Sequence, residues 1–299
     1  MQIKNSVVVV LLSLFMLSGC GKKNWHSPWQ DAGLATDSTQ VEMLYAEARE
    51  KLEHAADLES LMASMESMQQ VLAVDPAHRE ALACLGNLHI LLGTAYTIDR
   101  KVKNVHFRQA MKYCELSMYS NPQFRMAVKD GKKPWEASHT LQAEDAPAML
   151  FWVIALQYEF KEGMTLPAKI INVGWLHHGI TFLDRIEQVD PEFGNGAVEF
   201  AYSICYLALP SLLGGDVSLG KAYLEKSIER GKGYLLPTWG KGKYFHQVTG
   251  DLKSARKDLL WVASQKPEDY KDLYPWRMHF IADAKLQLDA IDHANGEEW

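Results

Sequence analysis

The sequence has few cysteines, no excess of basic side chains, and no apolar stretch of the roughly 20 residues that a membrane-spanning helix needs. It carries 31 Lys and Arg residues against 37 Asp and Glu residues, a formal net charge of -6, which gives no basic footprint for a nucleic acid. Three of the four cysteines, Cys84, Cys114 and Cys205, follow the N-terminal segment, and an odd number argues against a complete disulfide framework. A Cys84–Cys114 disulfide is the alternative, but both residues lie among helical apolar residues, which favours buried thiols.

The motifs of enzymes and metal sites are also missing. The chain has no Gly-x-Ser-x-Gly elbow, and Gly214-Gly215-Asp216 lacks the lysine and hydroxyl of a phosphate-binding loop. His177 and His178 are adjacent, and adjacent helical side chains point about 100° apart, so the two cannot easily chelate one ion. No cysteine or carboxylate cluster completes a zinc set. We therefore expect no enzyme, no metal site and no cofactor beyond a covalent lipid.

That lipid is predicted by a short apolar run near the N-terminus. Lys4 gives a positively charged start, residues 7–17 form the apolar core, and Leu17-Ser18-Gly19-Cys20 matches the bacterial lipoprotein box. The match implies that residues 1–19 are a signal peptide, that Cys20 carries a diacylglycerol and an N-acyl group, and that the mature chain is anchored on the periplasmic face of a bacterial membrane. An ordinary secretory signal and a membrane helix are the alternatives, and the run is too short for the second.

Residues 20–38 mix polar residues with proline and glycine and show no helical period, so we expect a flexible tether. Trp25 and Trp29 could touch the membrane interface or dock on the folded body. Gly21 occupies the position at which the common inner-membrane retention signal is an aspartate. In a host with two membranes, the outer membrane is therefore favoured.

Four prolines, Pro76, Pro122, Pro191 and Pro267, each follow a helical pattern and predict where a helix ends. The residues 12 positions before them are small, which lets a neighbouring helix approach closely, and those eight and five positions before them are mostly apolar. These residues are Ser64, Ala110, Gly179 and Ala255; then Met68, Cys114, Leu183 and Leu259; then Val71, Ser117, Ile186 and Val262. The glycine–aspartate pairs at 215–216 and 250–251 add helix-ending and helix-capping signals.

These spacings resemble the tetratricopeptide repeat, a helix–turn–helix unit of about 34 residues, and no stretch shows sustained strand alternation. We therefore expect an all-α fold, a right-handed solenoid of about five helical hairpins plus a C-terminal helix, in a domain spanning residues 39–293. The expected hairpins pair 41–57 with 59–74, 77–95 with 105–120, 145–162 with 168–189, 193–208 with 217–231, and 236–249 with 251–265, before a closing helix at 270–293. Residues 123–143 have no apolar period and read as an inserted loop.

The segment from Leu209 to Asp216 narrows the resemblance, because it inserts a longer elbow between the two helices of a hairpin. Its Pro210, Gly214, Gly215 and Asp216 resemble the P-x-x-x-G-G-D elbow of the TRAP transporter T-component family. These proteins are tetratricopeptide-repeat lipoproteins associated with tripartite ATP-independent periplasmic transporters. The lipoprotein box and the Trp152 helix also match, and the resemblance covers roughly residues 40–290.

The resemblance implies a periplasmic lipoprotein that can form a homotrimer, with a hydrophobic channel through each protomer. It also implies a soluble substrate-binding subunit as the partner and a hydrophobic or amphipathic organic acid as the ligand. The alternative is a tetratricopeptide-repeat scaffold lipoprotein that mediates protein–protein contacts in the cell envelope.

Aromatic side chains on the expected helices are the candidate walls of a ligand channel, since they combine apolar area with a polar tip. The candidates are Trp152, Trp175, Tyr202, Tyr206 and Trp239, and further aromatic residues on the same expected helices are Tyr158, Phe193 and Phe200. Packing between helices is the alternative for each of them. Arg230, Lys232, Lys241 and Lys243 surround Pro237 and Trp239. A lysine there could pair with a ligand carboxylate, and a solvated turn is the alternative.

Overall fold

The computed structural model describes residues 22–29 and 38–296, and over these residues it contains helices and no strand. The all-α prediction is thus confirmed for this part of the chain. The predicted signal peptide and Cys20 lie outside the described residues. The helices are α1 Ser38–Glu53, α2 Leu58–Val74, α3 Arg79–Ala95, α4 Arg100–Tyr119, α5 Pro122–Lys129, α6 Ala146–Tyr158, α7 Leu166–Asn172, α8 Trp175–Val189, α9 Ala197–Ala208, α10 Val217–Arg230, α11 Leu236–Gly240, α12 His246–Thr249, α13 Leu252–Ala263 and α14 Tyr274–Gly296.

Side-chain caps start many of these helices. Asp57 accepts a hydrogen bond from the backbone N–H of Ser60, and Asp99 accepts from two N–H groups of the first turn of α4. Asp216 and Asp251 cap α10 and α13, as the sequence predicts, by accepting from the backbone N–H groups of Leu219 and Ser254. Such caps satisfy N–H groups that have no partner inside the helix.

Three expected helices are interrupted in the structure, and the one expected at 236–249 consists of α11, a π-helical turn Lys241–Phe245, and α12. The helix expected at 145–162 ends as α6 and continues into a π-helical turn, Glu159–Gly163. The helix expected at 168–189 is divided into α7 and α8. These departures matter because the turn Glu159–Gly163 and α7 border both clefts described below.

The prediction of a loop over residues 123–143 was wrong for its first part, which forms α5. Two 3-10 turns follow α5, Ser138–Thr140 and Ala143–Asp145. Asn121 caps α5, Pro122 occupies its first turn, and Phe124 and Val128 are buried four positions apart on one face. The helix therefore packs through one buried apolar side chain per turn. Two such positions are too few to reveal a helical period in the sequence.

Helices that are close in the chain pack in pairs: α1 with α2, α3 with α4, α6 with α8 across the short α7, α9 with α10, and α13 with α14. The last helix also returns to the first ones, since α14 contacts α1 and α3. Trp276 of α14 donates from its indole Nε1 to Asn87 Oδ1 of α3 over 2.9 Å. This contact ties the C-terminal helix to the N-terminal hairpins.

All twelve residues at the three positions counted back from the prolines are buried. Gly179 shows why the first position is small. A Cβ atom on Gly179 of α8 would lie 3.3 Å from Val153 Cγ1 of α6 and 3.8 Å from Cys205 Sγ of α9. The glycine thus lets three helices meet at one point.

Replacing Gly179 with leucine should lower the free energy of unfolding by about 1–3 kcal/mol, because the added side chain overpacks this junction. The matched control is Gly174→Leu, since a Cβ atom on Gly174 meets nothing within 4 Å and its φ of -59° suits any residue. Urea unfolding of both variants measures the difference. Equal stability of Gly179→Leu and the wild type would contradict this packing.

Candidate functional site

The first candidate site is an apolar cleft of about 750 Å³ formed by α6, α7, α8, α9, the elbow after α9 and the π-helical turns that follow α6 and α11. Its lining includes the buried aromatic side chains Phe160 and Phe200 and the apolar side chains Val173, Leu176, Ile204, Leu207 and Leu213. A cleft of this volume suits a small organic molecule. Its walls favour a ligand that is mainly apolar.

The mouth of the apolar cleft is apolar as well. Leu166 and Ile170 of α7 are 70% and 68% exposed, and Leu213 of the elbow is 42% exposed. Large apolar side chains grouped at a concave surface are characteristic of binding sites. An apolar ligand that enters here would cover them.

Two lysines supply positive charge at the same cleft. Lys169 of α7 donates from Nζ to the backbone oxygen of Lys161 over 2.9 Å, and Lys161 Nζ lies 5.6 Å from the centre of the Tyr244 ring. Partial burial and then the neighbouring charge of Lys161 lower the pKa of Lys169. The negative charge of an anionic group bound between the two ammonium groups would oppose this lowering of the pKa.

The remaining polar groups of the cleft are neutral. Tyr158 and Tyr244 line it, and burial raises the pKa of both phenols, so they stay protonated at neutral pH. Gln157 is engaged through Nε2 with the backbone oxygen of Ala201 at 2.7 Å. The lysines are therefore the cationic groups in the described lining.

The elbow forms one edge of the cleft through Pro210 and Leu213. The backbone N–H of Gly215 donates to Pro210 O over 3.0 Å, and that of Asp216 donates to Tyr206 O over 3.1 Å. Gly214 has a φ of +84°, and a Cβ atom on Gly215 would lie 1.8 Å from the backbone oxygen of Leu209. Both glycines are therefore required by the close turn that carries the cleft edge.

The five predicted ligand-binding aromatics lie in three separate places, and none lines the described part of the apolar cleft. Trp152 and Trp175 both pack against Trp135, with ring centres 6.3 and 5.2 Å from it, and both line the second cleft described below. Tyr202 and Tyr206 form a stack with Tyr223 beside α10.

The third place holds Trp239, which is 1% exposed in the C-terminal core and donates to Asp283 over 2.8 Å. Its neighbour Lys243 pairs with Asp283 at 2.9 Å, and Lys241 pairs with Asp258 at 3.1 Å. These lysines thus have carboxylate partners within the protein.

Tyr158 and Phe200, two of the aromatic residues noted on the expected helices, do line the cleft, whereas the sequence reasoning missed Phe160 and Tyr244. A usable signal was present in residues 166–171, where α7 places leucine and isoleucine next to a lysine in a helix too short to bury them all.

A second cleft, which we name the arm cleft, lies between residues 22–29 (the arm) and helices α4, α6 and α7, with a volume of about 960 Å³. Lys23 Nζ forms an ion pair with the fully buried carboxylate of Glu159, which also accepts from Arg108 Nε over 2.9 Å. Burial lowers the pKa of Lys23, while the charge of Glu159 opposes that shift. The arm is therefore held by a buried ion pair.

Trp25 and Trp29 dock on the helical body, which is one of the two alternatives that the sequence leaves open. Trp25 and Trp152 donate from Nε1 to the two oxygens of Glu115 over 3.1 and 2.9 Å. Burial raises the pKa of Glu115 to about 7, against the effect of these two hydrogen bonds. Trp29 stacks on Tyr119 with ring centres 4.8 Å apart.

Within residues 22–29 and 38–296, no group of three or more His, Cys, Asp and Glu side chains could hold a metal ion, and no helix is long and apolar enough to cross a membrane. Cys84, Cys114 and Cys205 are free thiols, of which Cys84 is only partly buried. His178 stacks on Trp135 with ring centres 3.9 Å apart.

Comparison with known proteins adds no assignment, because no family model matches the sequence and no curated protein matches it significantly.

Proposed function

We propose that the protein binds a hydrophobic or amphipathic organic acid in the apolar cleft, as a lipid-anchored periplasmic accessory protein of a TRAP-type transporter. The observation that carries the ligand class is a cleft with apolar walls and an apolar mouth, at which Lys161 and Lys169 are the cationic groups of the described lining. An aliphatic tail matches the walls, and a carboxylate matches the ammonium groups. The proposal includes no catalytic step.

The finer architecture belongs to the same proposal. We infer a tetratricopeptide-repeat-like solenoid from the pairwise helix packing and from the twelve buried repeat positions. The elbow supports the family resemblance, since its two glycines and its capping aspartate have the roles that the motif requires. A lipid on Cys20, outer-membrane attachment and a homotrimer complete the proposal.

The scaffold function is the second candidate, and exposed apolar side chains on and beside the elbow favour it. Leu212 is 98% exposed and Val217 is 50% exposed. A protein partner would cover such residues, and in the transporter proposal that partner is the soluble substrate-binding subunit. The two functions differ in whether a small ligand enters the cleft.

Decanoate and its neutral analogue decanol test the ligand class by competition with a dansylated fatty acid, whose fluorescence rises on binding. We expect decanoate to compete better than decanol. The double variant Lys161→Gln, Lys169→Gln should weaken the binding of decanoate about tenfold and leave the binding of decanol unchanged. Each of the two partly solvated ion pairs that it removes contributes about 1 kcal/mol or less to decanoate binding.

Two further variants locate the binding. Ile204→Trp should weaken both ligands, because the larger side chain occupies the cleft, whereas Lys253→Gln removes an exposed lysine from α13 and should change neither. Absence of binding by both ligands would favour the scaffold. Equal loss of decanoate and decanol in the lysine variant would contradict carboxylate recognition.

A further inference from the structure

The outer face of α4 carries basic side chains that the proposed function does not use. Lys101, Val105, Arg108 and Lys112 lie four, three and four residues apart in sequence, so they share one helical face. All four are exposed. We name these four residues the α4 basic face.

Apolar side chains are exposed just before α4 and in its first two turns. Ile98, Val102 and Val105 are 97%, 46% and 65% exposed. Basic side chains next to exposed aliphatic ones are the combination by which peripheral proteins bind the interface of an anionic bilayer.

The charge of the α4 basic face is mostly not neutralised within the protein. Arg108 pairs with Glu159, but none of the ion pairs found within residues 22–29 and 38–296 includes Lys101 or Lys112, nor the nearby Arg100. Asp99 lies at the start of the helix, where its carboxylate accepts from two backbone N–H groups. This local positive charge contrasts with the net charge of -6 for the whole chain.

The arm places the chain's N-terminal segment beside this face. Lys22 and Lys23 line the arm cleft together with the α4 basic face and Arg100. Lys22 is exposed and is two residues from Cys20, and two residues of chain span at most about 7 Å. A lipid on Cys20 would therefore enter the bilayer next to the α4 basic face.

We propose that the α4 basic face docks on the anionic phospholipid headgroups of the membrane that holds the anchor. This inference rests on the proposed function in one respect, the lipid on Cys20. Docking also sets the orientation of the body, because α7 borders both clefts. Ala168 of α7 lines the arm cleft, and Leu166 and Ile170 lie at the mouth of the apolar cleft. The mouth of the apolar cleft is then held near the membrane surface instead of turning freely on a tether.

The test uses the whole mature protein with vesicles of phosphatidylcholine, or of phosphatidylcholine and phosphatidylglycerol in about equal parts. Acetylation of lysines, read by mass spectrometry, measures their accessibility. We expect Lys101 and Lys112 to react at least about fivefold more slowly on phosphatidylglycerol vesicles than on phosphatidylcholine vesicles, and high salt to abolish the difference. Lys253 and Lys257, exposed on α13, are the internal controls and should react equally on both.

A double variant tests the same face through binding. Lys101→Gln, Lys112→Gln should reduce the preference for phosphatidylglycerol vesicles about tenfold, and the matched pair Lys253→Gln, Lys257→Gln should not change it. Arg108 is kept because it pairs with Glu159. Equal acetylation on both vesicles, or an unchanged preference in the variant, would overturn the proposal.

Failure of the anchor gives a different result, since the protein would then stay in the supernatant with phosphatidylcholine vesicles, as the Cys20→Ser variant should. Slower acetylation of Lys101 and Lys112 on phosphatidylglycerol vesicles in that case would support the docking face without the anchor.

Discussion

Replacing Trp239 with alanine should lower the free energy of unfolding by about 3–5 kcal/mol, as expected for removing a large buried aromatic side chain. The indole is 1% exposed, lies 4.6 Å from the ring centre of Phe280, and donates to Asp283 over 2.8 Å. The variant therefore loses apolar contacts and leaves Asp283 with one fewer donor. Urea unfolding followed by circular dichroism measures the change.

Trp261→Ala is the matched control, since Trp261 is 42% exposed on α13 and touches the ring of Tyr270 at 5.9 Å. We expect this control to cost about 1 kcal/mol or less. If Trp239→Ala were as stable as Trp261→Ala, the placement of Trp239 in the core would be wrong. A ligand-lining role, which the sequence suggested for this residue, would then regain support.

Replacing Glu159 with alanine should release the arm. The Glu159 carboxylate is fully buried and neutralises Lys23, whose side chain is only 10% exposed. A buried charge that loses its partner costs about 3–5 kcal/mol, and the short arm can avoid this cost by moving Lys23 into water. A loss of about 3 kcal/mol corresponds to roughly 100-fold faster exchange of the Lys23 amide, whose N–H donates to Asn172 Oδ1 over 2.6 Å, and hydrogen–deuterium exchange measures this rate.

Glu162→Ala provides the control for this experiment. Glu162 lies in the same π-helical turn and pairs with Lys103 of α4, so it also loses an ion pair at a partly buried site. Its ion-pair and hydrogen-bond partners, Lys103 and Thr94, are outside the arm. Equal exchange of the arm in both variants would show that the Lys23–Glu159 pair does not hold it.

The helices and their caps could be predicted because the signals are local. Asp216 and Asp251 accept from N–H groups three residues ahead, and a proline ends a helix through its own ring, so neither depends on distant residues. The small residue at Gly179 likewise identified a close helix contact before its partners were known. Short elements such as α5 escaped because an eight-residue helix with only two buried positions, Phe124 and Val128, does not establish a period.

The arm was beyond this kind of reasoning. Its sequence has the composition of a tether, yet Lys23 and Trp25 bind carboxylates on helices more than 85 residues further along the chain. Glu115 and Glu159 are single acidic residues in helical patterns, and nothing local distinguishes them from solvated ones.

By itself, the sequence determined that the described body is helical, where most of its helices begin and end, and which residues permit helices to pack closely, because caps, prolines and periodicity act within a few residues. Only the tertiary structure decided which helical faces stay uncovered. The apolar cleft joins Tyr158, Lys169, Phe200 and Tyr244 from distant parts of the chain, while Trp152 borders the arm cleft and Trp239 packs in the C-terminal core. A cleft remains where no neighbouring helix covers the surface. Its position therefore depends on how all the neighbouring helices pack together.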